Sequence, residues 1–314
     1  MTTLVTGGAG FIGSNLIRGL NAHGITDILV VDNLEKSDKF INLSGCRIAD
    51  YMDKREFRRT IEDDRFDLSI DVIFHQGACS DTLEHNGAYM LDNNFTYSKQ
   101  LLRYALTRSI PFIYAASAAV YGNSAAFTEQ PENEKPLNVY GYSKLVFDQH
   151  VRRLLPDVQS TVVGLRYFNV YGPNEAHKSR MASVAHQVLK QLRETGIIRL
   201  FVGSGGYADG EQRRDFISVG DVVDVNLFFA DGPVRAGIFN VGTGRNRSFN
   251  DIARTLIALH GSGDIEYIPF PTGLLDKYQS FTEADIAALR AAGYTAPFTS
   301  LEDGLAQLYR SQAA

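Results

Sequence analysis

The feature that most constrains the fold lies at the start of the chain, where a short strand runs into a glycine-rich turn and a helix. Residues 3–6 favour a strand, and the next segment, Gly-Gly-Ala-Gly-Phe-Ile-Gly, ends at Gly13. From Ser14 to Ala22 the apolar spacing predicts a helix, with Gly24 just past its end. Strand, glycine turn and helix in this order form the phosphate-binding unit of dinucleotide-binding sheets. The opening of the chain therefore predicts an α/β protein with a Rossmann-type, doubly wound parallel sheet.

The glycines of this turn have separate expected roles in cofactor binding. Gly7 permits the tight turn, Gly10 lets the backbone approach a pyrophosphate, and Gly13 allows the helix to pack closely on the strand. Phe11 and Ile12 belong to the same turn, where the helix N-terminus offers free N–H groups and a positive dipole to phosphates. We therefore expect these residues to contact the dinucleotide.

The end of the second strand bears on which dinucleotide binds. Asp32 follows about 20 residues after Gly13, where an acid usually binds the adenosine ribose hydroxyls. Taken alone, Asp32 favours NAD, because a 2′-phosphate would meet a carboxylate. Asn33 follows it, and Lys39 and Lys54 are either ordinary surface charges or groups that neutralise a 2′-phosphate. We predict NADP from these lysines and leave NAD open.

Two later segments supply further candidate residues on the cofactor side. Small residues after a strand allow backbone to approach a cofactor, and such a segment follows His75. Its members are Gln76, Gly77, Ala78, Cys79 and Ser80. The sequence shows no cationic partner that would make Cys79 a reactive thiol. Asp92 and its neighbours are predicted to open a long helix with an apolar face, where Asn93 either caps the helix or faces the cofactor.

A serine, a tyrosine and a lysine suggest the chemistry. Ser117 follows a strand that ends at Ala115, at the edge where α/β sheets bind ligands. Tyr140 and Lys144 are four residues apart on a predicted helix and therefore share one face. A nearby ammonium favours phenolate and lowers the pKa of a tyrosine from about 10, which would make Tyr140 a base. An isolated pair of this spacing is more often a surface pair, so the assignment depends on the other motifs.

Composition excludes several classes of protein. The 314 residues carry a net charge of −5 with no basic block, which argues against nucleic-acid binding. The two cysteines are too few for a disulfide scaffold or a zinc site, and no metal is predicted. We find neither a signal-peptide pattern nor an apolar run of about 18 residues. These observations predict a cytoplasmic protein that does not associate with a membrane.

Four ordered motifs resemble the extended short-chain dehydrogenase/reductase superfamily, many of whose members act on nucleotide sugars. They are the glycine turn, Ser117-x-x-Val-Tyr-Gly, Tyr140-x-x-x-Lys144 and the segment Arg-Tyr-Phe-Asn-Val-Tyr-Gly-Pro that starts at Arg166. The resemblance covers the whole chain. It implies that Tyr140 is the acid/base, that Lys144 binds the nicotinamide ribose and lowers the tyrosine pKa, and that Ser117 holds the reacting hydroxyl.

The sequence also narrows the reaction within this superfamily. Dehydratases carry an Asp-Glu pair after the hydroxyl residue, whereas this chain has Ala118 and Ala119, which cannot transfer protons. Epimerisation is therefore the simplest redox-neutral expectation. The finer pattern resembles the ADP-L-glycero-D-manno-heptose 6-epimerase family in five segments, which are 30–34, 48–54, 77–80, 135–140 and 177–185. Two alternatives stay open, namely another nucleotide-sugar epimerase such as a UDP-hexose 4-epimerase, and a non-catalytic NADP-binding scaffold.

This finer resemblance has implications for the whole enzyme. It implies NADP held through the catalytic cycle, a transient 6″-keto sugar, and ADP-heptose as the partner, made as a precursor of the lipopolysaccharide core. It also implies a homo-oligomer, a pentamer by resemblance.

The same resemblance assigns the remaining site residues. Inversion needs proton transfer at two orientations of the C6″ oxygen, and the resemblance implies Lys178 as the second proton-transfer group beside Tyr140. It also implies that Lys178 and Val170 contact the cofactor. The implied substrate contacts are Asn169, Arg180, Gln187, Phe201, Val202, Gly203, Ser204, Arg214 and Tyr278. Arg180 departs from the family pattern, which usually has a small residue there. Arg214 suits a diphosphate because a guanidinium pairs two oxygens at once.

The order of elements predicts two lobes. Residues 1–172 are expected to form the NADP-binding domain and residues 173–314 mainly a smaller α/β substrate lobe, with the sugar nucleotide between them. Strands near 162–166 and 237–241 are expected to join the first sheet. In the second half we predict a helix from Met181 to Leu192 and another that Thr282 caps and that runs to Ala291.

Overall fold

A parallel sheet of seven strands forms the centre of the protein. The computed structural model describes residues 2–35, 37–271, 273 and 278–312. In chain order the strands are β1 (Thr2–Thr6), β2 (Ile28–Asp32), β3 (Asp50–Asp53), β4 (Ile70–His75), β5 (Phe112–Ser117), β6 (Val162–Tyr167), β7 (Asn169–Tyr171), β8 (Ile197–Phe201), β9 (Arg213–Ser218), β10 (Ala236–Val241), β11 (Asn246–Ser248) and β12 (Asp264–Ile268). The central sheet has the order β10-β6-β5-β4-β1-β2-β3, so β1, β2 and β3 extend it in one direction, and β4, β5, β6 and β10 extend it in the other. The strand order therefore reverses between β1 and β4. Ligands of open α/β sheets bind at such a reversal.

Helices cover both faces of this sheet, because its strands are apolar on both sides. In chain order the helices are α1 (Phe11–Ala22), α2 (Phe40–Leu43), α3 (Lys54–Glu62), α4 (Gly87–Leu91), α5 (Tyr97–Thr107), α6 (Val139–Leu154), α7 (Val184–Thr195), α8 (Val219–Ala230), α9 (Phe249–His260), α10 (Ala287–Ala291) and α11 (Leu301–Ser311). One core packs α1 and α8 against the sheet, and the other packs α3, α5 and α6 against the opposite face. The predicted doubly wound α/β class is confirmed.

The later part of the chain builds a second, smaller core. Strands β11, β9 and β7 form a three-stranded sheet, and β12 pairs with β8. Helices α7, α9 and α11 bury their apolar faces against these strands. Strands β6 and β10 pair in parallel within the central sheet, so the chain returns to it after leaving. The division into lobes at residue 172 stays a prediction. Within the described ranges, no helix is both long and apolar enough to cross a membrane.

Four predicted helix starts are wrong, and side-chain caps explain two of them. Helix α1 begins at Phe11, directly after Gly10, and not at Ser14. The helix expected from Asp92 already begins at Gly87, where Asn86 accepts from the Tyr89 N–H, and Asp92–Thr96 forms a π-helical turn inside it. Asn93 is thus inside the helix and does not cap it.

Helix α7 begins at Val184 and not at Met181, because Ser183 caps it by accepting from the His186 N–H. Thr282 does not cap a helix. Its N–H donates to Arg213 O beside a β-bridge, and α10 starts only at Ala287.

Candidate active site

The loops after β1 and β4 meet at the point where the strand order of the central sheet reverses. Gly7 has a φ of +67°, and a Cβ there would lie 2.6 Å from the backbone of Gly77. A Cβ on Gly13 would lie 2.2 Å from Gly7 O. Helix α1 starts at Phe11 with no acidic residue in its first turn and no side-chain cap on its N–H groups. The bare backbone and the free N–H groups fit a dinucleotide pyrophosphate, as the glycine pattern predicts.

Asp32 lies at the end of β2 and is held by three donors. Its Oδ2 accepts from Ala9 N at 2.8 Å, and its Oδ1 accepts from Asn33 N at 2.7 Å and from Lys39 Nζ at 2.6 Å. The Lys39 ammonium therefore neutralises the carboxylate that a 2′-phosphate would otherwise meet. Lys54 lies apart from this pair, where its Nζ donates to Asn93 Oδ1 at 2.6 Å, and burial lowers its pKa.

Hydrogen bonds within the protein hold much of the segment after β4. Gln76 is committed within the protein, since its Nε2 donates to Asn226 Oδ1 at 3.0 Å and its Oε1 accepts from the Tyr167 hydroxyl at 3.1 Å. Burial raises the pKa of the Cys79 thiol, so this thiol is not activated. Both backbone groups of Cys79 are bound by the side chain of Asn94, at 2.8 and 2.9 Å. Ala78 and Ser80 are exposed beside it.

Ser117, Tyr140 and Lys144 come together at the carboxyl end of β5. Asn138 caps α6 by accepting from Gly141 N at 2.8 Å, which places Tyr140 in the first turn. A Cβ on Gly141 would lie 2.6 Å from Ala119 O, so the helix start is pressed against the segment that follows Ser117. The Ser117 hydroxyl hydrogen-bonds the Tyr140 phenol. This arrangement can hold a hydroxyl or carbonyl oxygen between two hydroxyl groups.

The expected effect of Lys144 on Tyr140 is not what the structure shows. Burial raises the pKa of Tyr140, and the hydrogen bond from Ser117 opposes that rise. The Lys144 ammonium donates to Ala115 O at 2.7 Å, so it is directed at the sheet. Burial lowers the pKa of Lys144 itself to about 8. Sequence spacing indicates the shared helix face but not this burial.

Lys144 therefore carries a stability cost that a variant should reveal. In cofactor-free protein at pH 7, Lys144→Met is expected to raise the free energy of unfolding by about 1–3 kcal/mol, because it removes a buried cation. Below pH 8 the ammonium is charged in the folded and unfolded chain, and the cost is complete. As pH rises from about 8 to 10.5, the ordinary pKa of a lysine, Lys144 loses its proton in the folded protein before it does so in the unfolded chain. The stability cost of Lys144 therefore disappears over this range, and with it the stability gain of Lys144→Met.

Thermal melting across this pH range, with epimerase activity measured in parallel, checks the prediction. Lys190→Met is the control, since Lys190 is an exposed lysine that pairs with Glu194 on α7. A melting temperature of Lys144→Met at or below that of the parent protein would contradict the assignment of Lys144 as a buried cation that lowers stability.

Lys178 lies on a short 3₁₀ helix, Ala176–Met181, that follows β7. Its Nζ is 3.2 Å from Glu175 Oε2 and lies 4.8 Å from the ring centre of Phe11, the first residue of α1. Val170 is half-buried in β7. The structure thus brings Lys178 next to the predicted phosphate-binding turn, although these residues are far apart in sequence.

Arg214 lies on β9 and is 7% exposed. Its guanidinium donates to the carbonyls of Arg213 and Gln279 and lies 5.1 Å from the ring centre of Tyr278. Among the residues that the structure describes, no carboxylate pairs with it, and burial lowers its pKa. A buried cation without an anion is costly, so this site suits an anionic ligand.

Several predicted substrate residues gather around Arg214. The Tyr278 ring packs edge-on against Phe201, with ring centres 6.1 Å apart, and the Ser204 and Ser280 hydroxyls are 3.2 Å apart. Val202 and Gly203 connect Phe201 to Ser204 in the same loop. Asn169 is exposed at the start of β7, where its Oδ1 is 3.4 Å from Thr282 Oγ1.

Two predicted substrate residues have other partners. Arg180 is 68% exposed and pairs with Asp81 at 3.3 Å. Gln187 donates to the carbonyls of Arg180 and Ala182, at 3.2 and 2.7 Å. No described contact joins either side chain to Arg214, and their role in substrate binding stays a prediction.

Sequence reasoning missed two buried polar residues that hold this site together. Asn94 joins the Cys79 backbone to Ser143, whose hydroxyl donates to Tyr140 O at 2.7 Å. Glu175 is 1% exposed and accepts from Lys178. The three-residue spacing of Glu175 and Lys178 is the one signal that the sequence contained. Nothing in the sequence indicates the contacts of Asn94, since Cys79 and Ser143 lie in distant segments.

Comparisons with known proteins agree with this geometry. Residues 3–242 match the model of the NAD dependent epimerase/dehydratase family. The chain is 57% identical over 302 residues to an ADP-L-glycero-D-manno-heptose-6-epimerase of Alkalilimnicola ehrlichii, covering 96% of this chain and 94% of that one. It is 53% identical over 320 residues to the protein of the same name from Thiobacillus denitrificans, covering 97% and 96%.

A solved structure gives the same result. The crystal structure of Helicobacter pylori ADP-L-glycero-D-manno-heptose-6-epimerase superposes with a TM-score of 0.86 at 33% identity, over 100% of this chain and 96% of that one. The resemblance found in the motifs is confirmed. The protein belongs to the NAD dependent epimerase/dehydratase family, within the group of the ADP-L-glycero-D-manno-heptose-6-epimerases.

Proposed function

We propose that the protein inverts C6″ of ADP-D-glycero-D-manno-heptose to give ADP-L-glycero-D-manno-heptose, through a transient 6″-keto sugar and bound NADP. The observation that carries this proposal is the meeting of Ser117, Tyr140 and Lys144 at the end of β5, directly before Ala118 and Ala119. Methyl groups at these two positions supply no acid or base for eliminating water. An oxidation followed by a reduction at the same carbon is the simplest redox-neutral reaction that remains.

Each residue at this site has a separate proposed role in the reaction. The chemistry that NADP supplies, when it is bound, is the uptake of a hydride from C6″ and its return. Ser117 holds the C6″ oxygen, and Tyr140 removes or donates its proton. Lys144, whose ammonium donates to Ala115 O at the end of β5, is proposed to bind the nicotinamide ribose. The planar 6″-ketone has lost its stereocentre, so hydride return to the opposite face inverts the carbon.

The second face requires a second proton-transfer group. When the sugar end turns over, the C6″ oxygen no longer points at Tyr140. Lys178 approaches from the segment after β7, next to Phe11 at the start of α1, which supports its role at the other orientation. The alternative role is that of a lysine that only binds phosphate.

Arg214 is proposed to bind the diphosphate of the substrate. Arg214 is a buried guanidinium on β9 without an acidic partner among the described residues, and Tyr278 packs beside it. An ADP group would supply the missing anion. Phe201 and Ser204 lie around the same point and are proposed to contact the nucleotide.

NADP is proposed over NAD because Lys39 already neutralises Asp32 at the end of β2. Lys39→Met is expected to weaken NADP binding by about 10–150-fold, the loss of one charge-assisted contact of about 1.5–3 kcal/mol, and to affect NAD less. The nucleotide released by denaturing the purified protein should be weighed, and both cofactors titrated into stripped protein. Finding only NAD, with NADP affinity unchanged in Lys39→Met, would rule this out.

A product assay tests the proposed reaction. The protein should convert ADP-D-glycero-D-manno-heptose to its L-glycero epimer, as followed by the NMR signals at C6″, and should leave UDP-galactose unchanged. Conversion of UDP-galactose instead would favour a UDP-hexose 4-epimerase, and conversion of neither would favour a non-catalytic scaffold. The intact Ser117, Tyr140 and Lys144 speak against the scaffold, which needs none of them.

The wider setting follows from the same resemblance. We propose a cytoplasmic homo-oligomer, a pentamer, that supplies the heptose precursor of the lipopolysaccharide core. We also propose residues 1–172 as the NADP-binding domain and residues 173–314 as mainly the substrate lobe, with the sugar between them. Sedimentation of the purified holoenzyme checks the pentamer.

A further inference from the structure

A buried carboxylate lies beneath the segment that carries Lys178. Glu175 is 1% exposed at the start of that segment. Its Oε1 accepts from Gly172 N at 3.2 Å and from Ser183 Oγ at 2.6 Å. Its Oε2 accepts from Ser183 N at 2.7 Å and from Lys178 Nζ at 3.2 Å. One carboxylate therefore connects both ends of this loop to the ammonium.

The other side of Lys178 faces helix α1. The ammonium lies 4.8 Å from the ring centre of Phe11, which suits a cation–π contact. Asn15, one turn further along α1, donates to Pro173 O at 3.0 Å and anchors the start of the segment. Lys178 is thus held between the carboxylate of its own loop and the helix that follows the glycine turn.

The backbone beside Lys178 does not adopt an ordinary helical conformation. Ser179 has a φ of +48° and a ψ of −122°, a backbone conformation that residues other than glycine rarely adopt. Such strain persists only where the surroundings fix the chain, and it concentrates at functional sites. The hydrogen bonds of Glu175 to both ends of the loop supply that restraint.

We propose that Glu175 is the positioning residue of the second proton-transfer group. A free lysine side chain samples many rotamers, and the ion pair with a buried carboxylate restricts the Lys178 ammonium to one place beside the cofactor loop. Glu175 itself does not touch the substrate. This inference rests on the proposed role of Lys178, and it predicts that the two residues act as one unit.

Glu175→Gln tests the inference in the holoenzyme. The amide oxygen can still accept from Gly172 N and Ser183 Oγ. The amide nitrogen cannot accept from Ser183 N or from Lys178 Nζ, and the charge beside Lys178 is lost. Epimerisation turnover is expected to fall by about 10²-fold, as for a misplaced reacting group, with KM for the ADP-sugar and cofactor retention unchanged. Asp221→Asn on α8 is the matched control, because it removes a similarly buried carboxylate, which accepts from Thr299 in the segment before α11. Its turnover should equal that of the parent.

A half-reaction separates positioning from general damage. Protein loaded with NADPH is given an ADP-sugar analogue with an aldehyde at C6″, and the loss of nicotinamide absorbance is followed. Hydride passes to the aldehyde carbon and Tyr140 gives the proton to its oxygen, so Lys178 is not needed. Glu175→Gln should retain this rate. An equal loss in both assays would mean a merely structural role and would overturn the proposal.

The double variant completes the test. Adding Glu175→Gln to Lys178→Met should cause no further loss of residual epimerisation, since the pair acts as one unit; independent losses contradict this. If Glu175→Gln does not fold, Glu175→Asp draws the charge back by one methylene, and turnover equal to the parent then overturns the proposal. Failure of the proposed role of Lys178 looks different, because Lys178→Met would then itself retain full epimerisation. Failure of the proposed function looks different again, because the parent protein would then not epimerise the ADP-sugar.

Discussion

Replacing Tyr140 by phenylalanine is expected to lower epimerisation of ADP-heptose by about 10²–10⁴-fold, the usual worth of a positioned acid/base group. The change removes only the hydroxyl that hydrogen-bonds Ser117 and leaves the ring in the first turn of α6. Lys144 should therefore still hold the cofactor. Turnover and the amount of bound nucleotide are to be measured on the same preparation.

Lys178→Met is expected to produce a loss of the same order for the opposite orientation of the oxygen. Both variants should keep the dinucleotide cofactor bound. Tyr142→Phe is the control for the first, because Tyr142 is two residues along α6 and half-exposed, and it should retain full activity. Near-full epimerisation by Lys178→Met would mean that Tyr140 serves both orientations alone.

The parts of this site that the sequence predicted well are those that local chemistry determines. Gly7 must be glycine because its φ is +67° and Gly77 leaves no room for a Cβ. The i, i+4 spacing of Tyr140 and Lys144 is a property of any helix. The β6–β10 pairing also agrees with the pattern, because both strands are apolar runs typical of a parallel sheet.

The parts that the sequence did not predict depend on contacts between distant segments. The pKa of Tyr140 rises because of burial, and burial is a product of the whole fold. The Lys144 ammonium bonds to Ala115 O on β5, which no helix pattern indicates. The sequence predicts a helix start at Asp92 because the actual cap, Asn86, lies in a weakly patterned segment. Arg180 departs from the family pattern, and the structure places it in an exposed pair with Asp81.

Arg214→Met is expected to have opposite effects on substrate binding and on stability. Arg214 is 7% exposed, and the described residues offer it carbonyls and an aromatic ring but no carboxylate. Binding of the ADP diphosphate should weaken by about 10–150-fold, the loss of a charge-assisted contact of about 1.5–3 kcal/mol. The substrate-free protein should become more stable, because a buried cation without an anion is replaced by an apolar side chain.

The matched control is Arg247→Met on the neighbouring strand, where Arg247 is the register partner of Arg214. Arg247 already pairs with Asp251 and Glu302, at 2.9 and 2.6 Å, so its loss should leave KM for the ADP-sugar unchanged and should not raise stability. KM and the thermal melting temperature of both variants, with and without ADP, measure the two effects. An unchanged KM in Arg214→Met would rule out the diphosphate assignment. A lower melting temperature of the substrate-free variant would show instead that Arg214 stabilises the fold, since only an unpaired cation gives the two effects opposite signs.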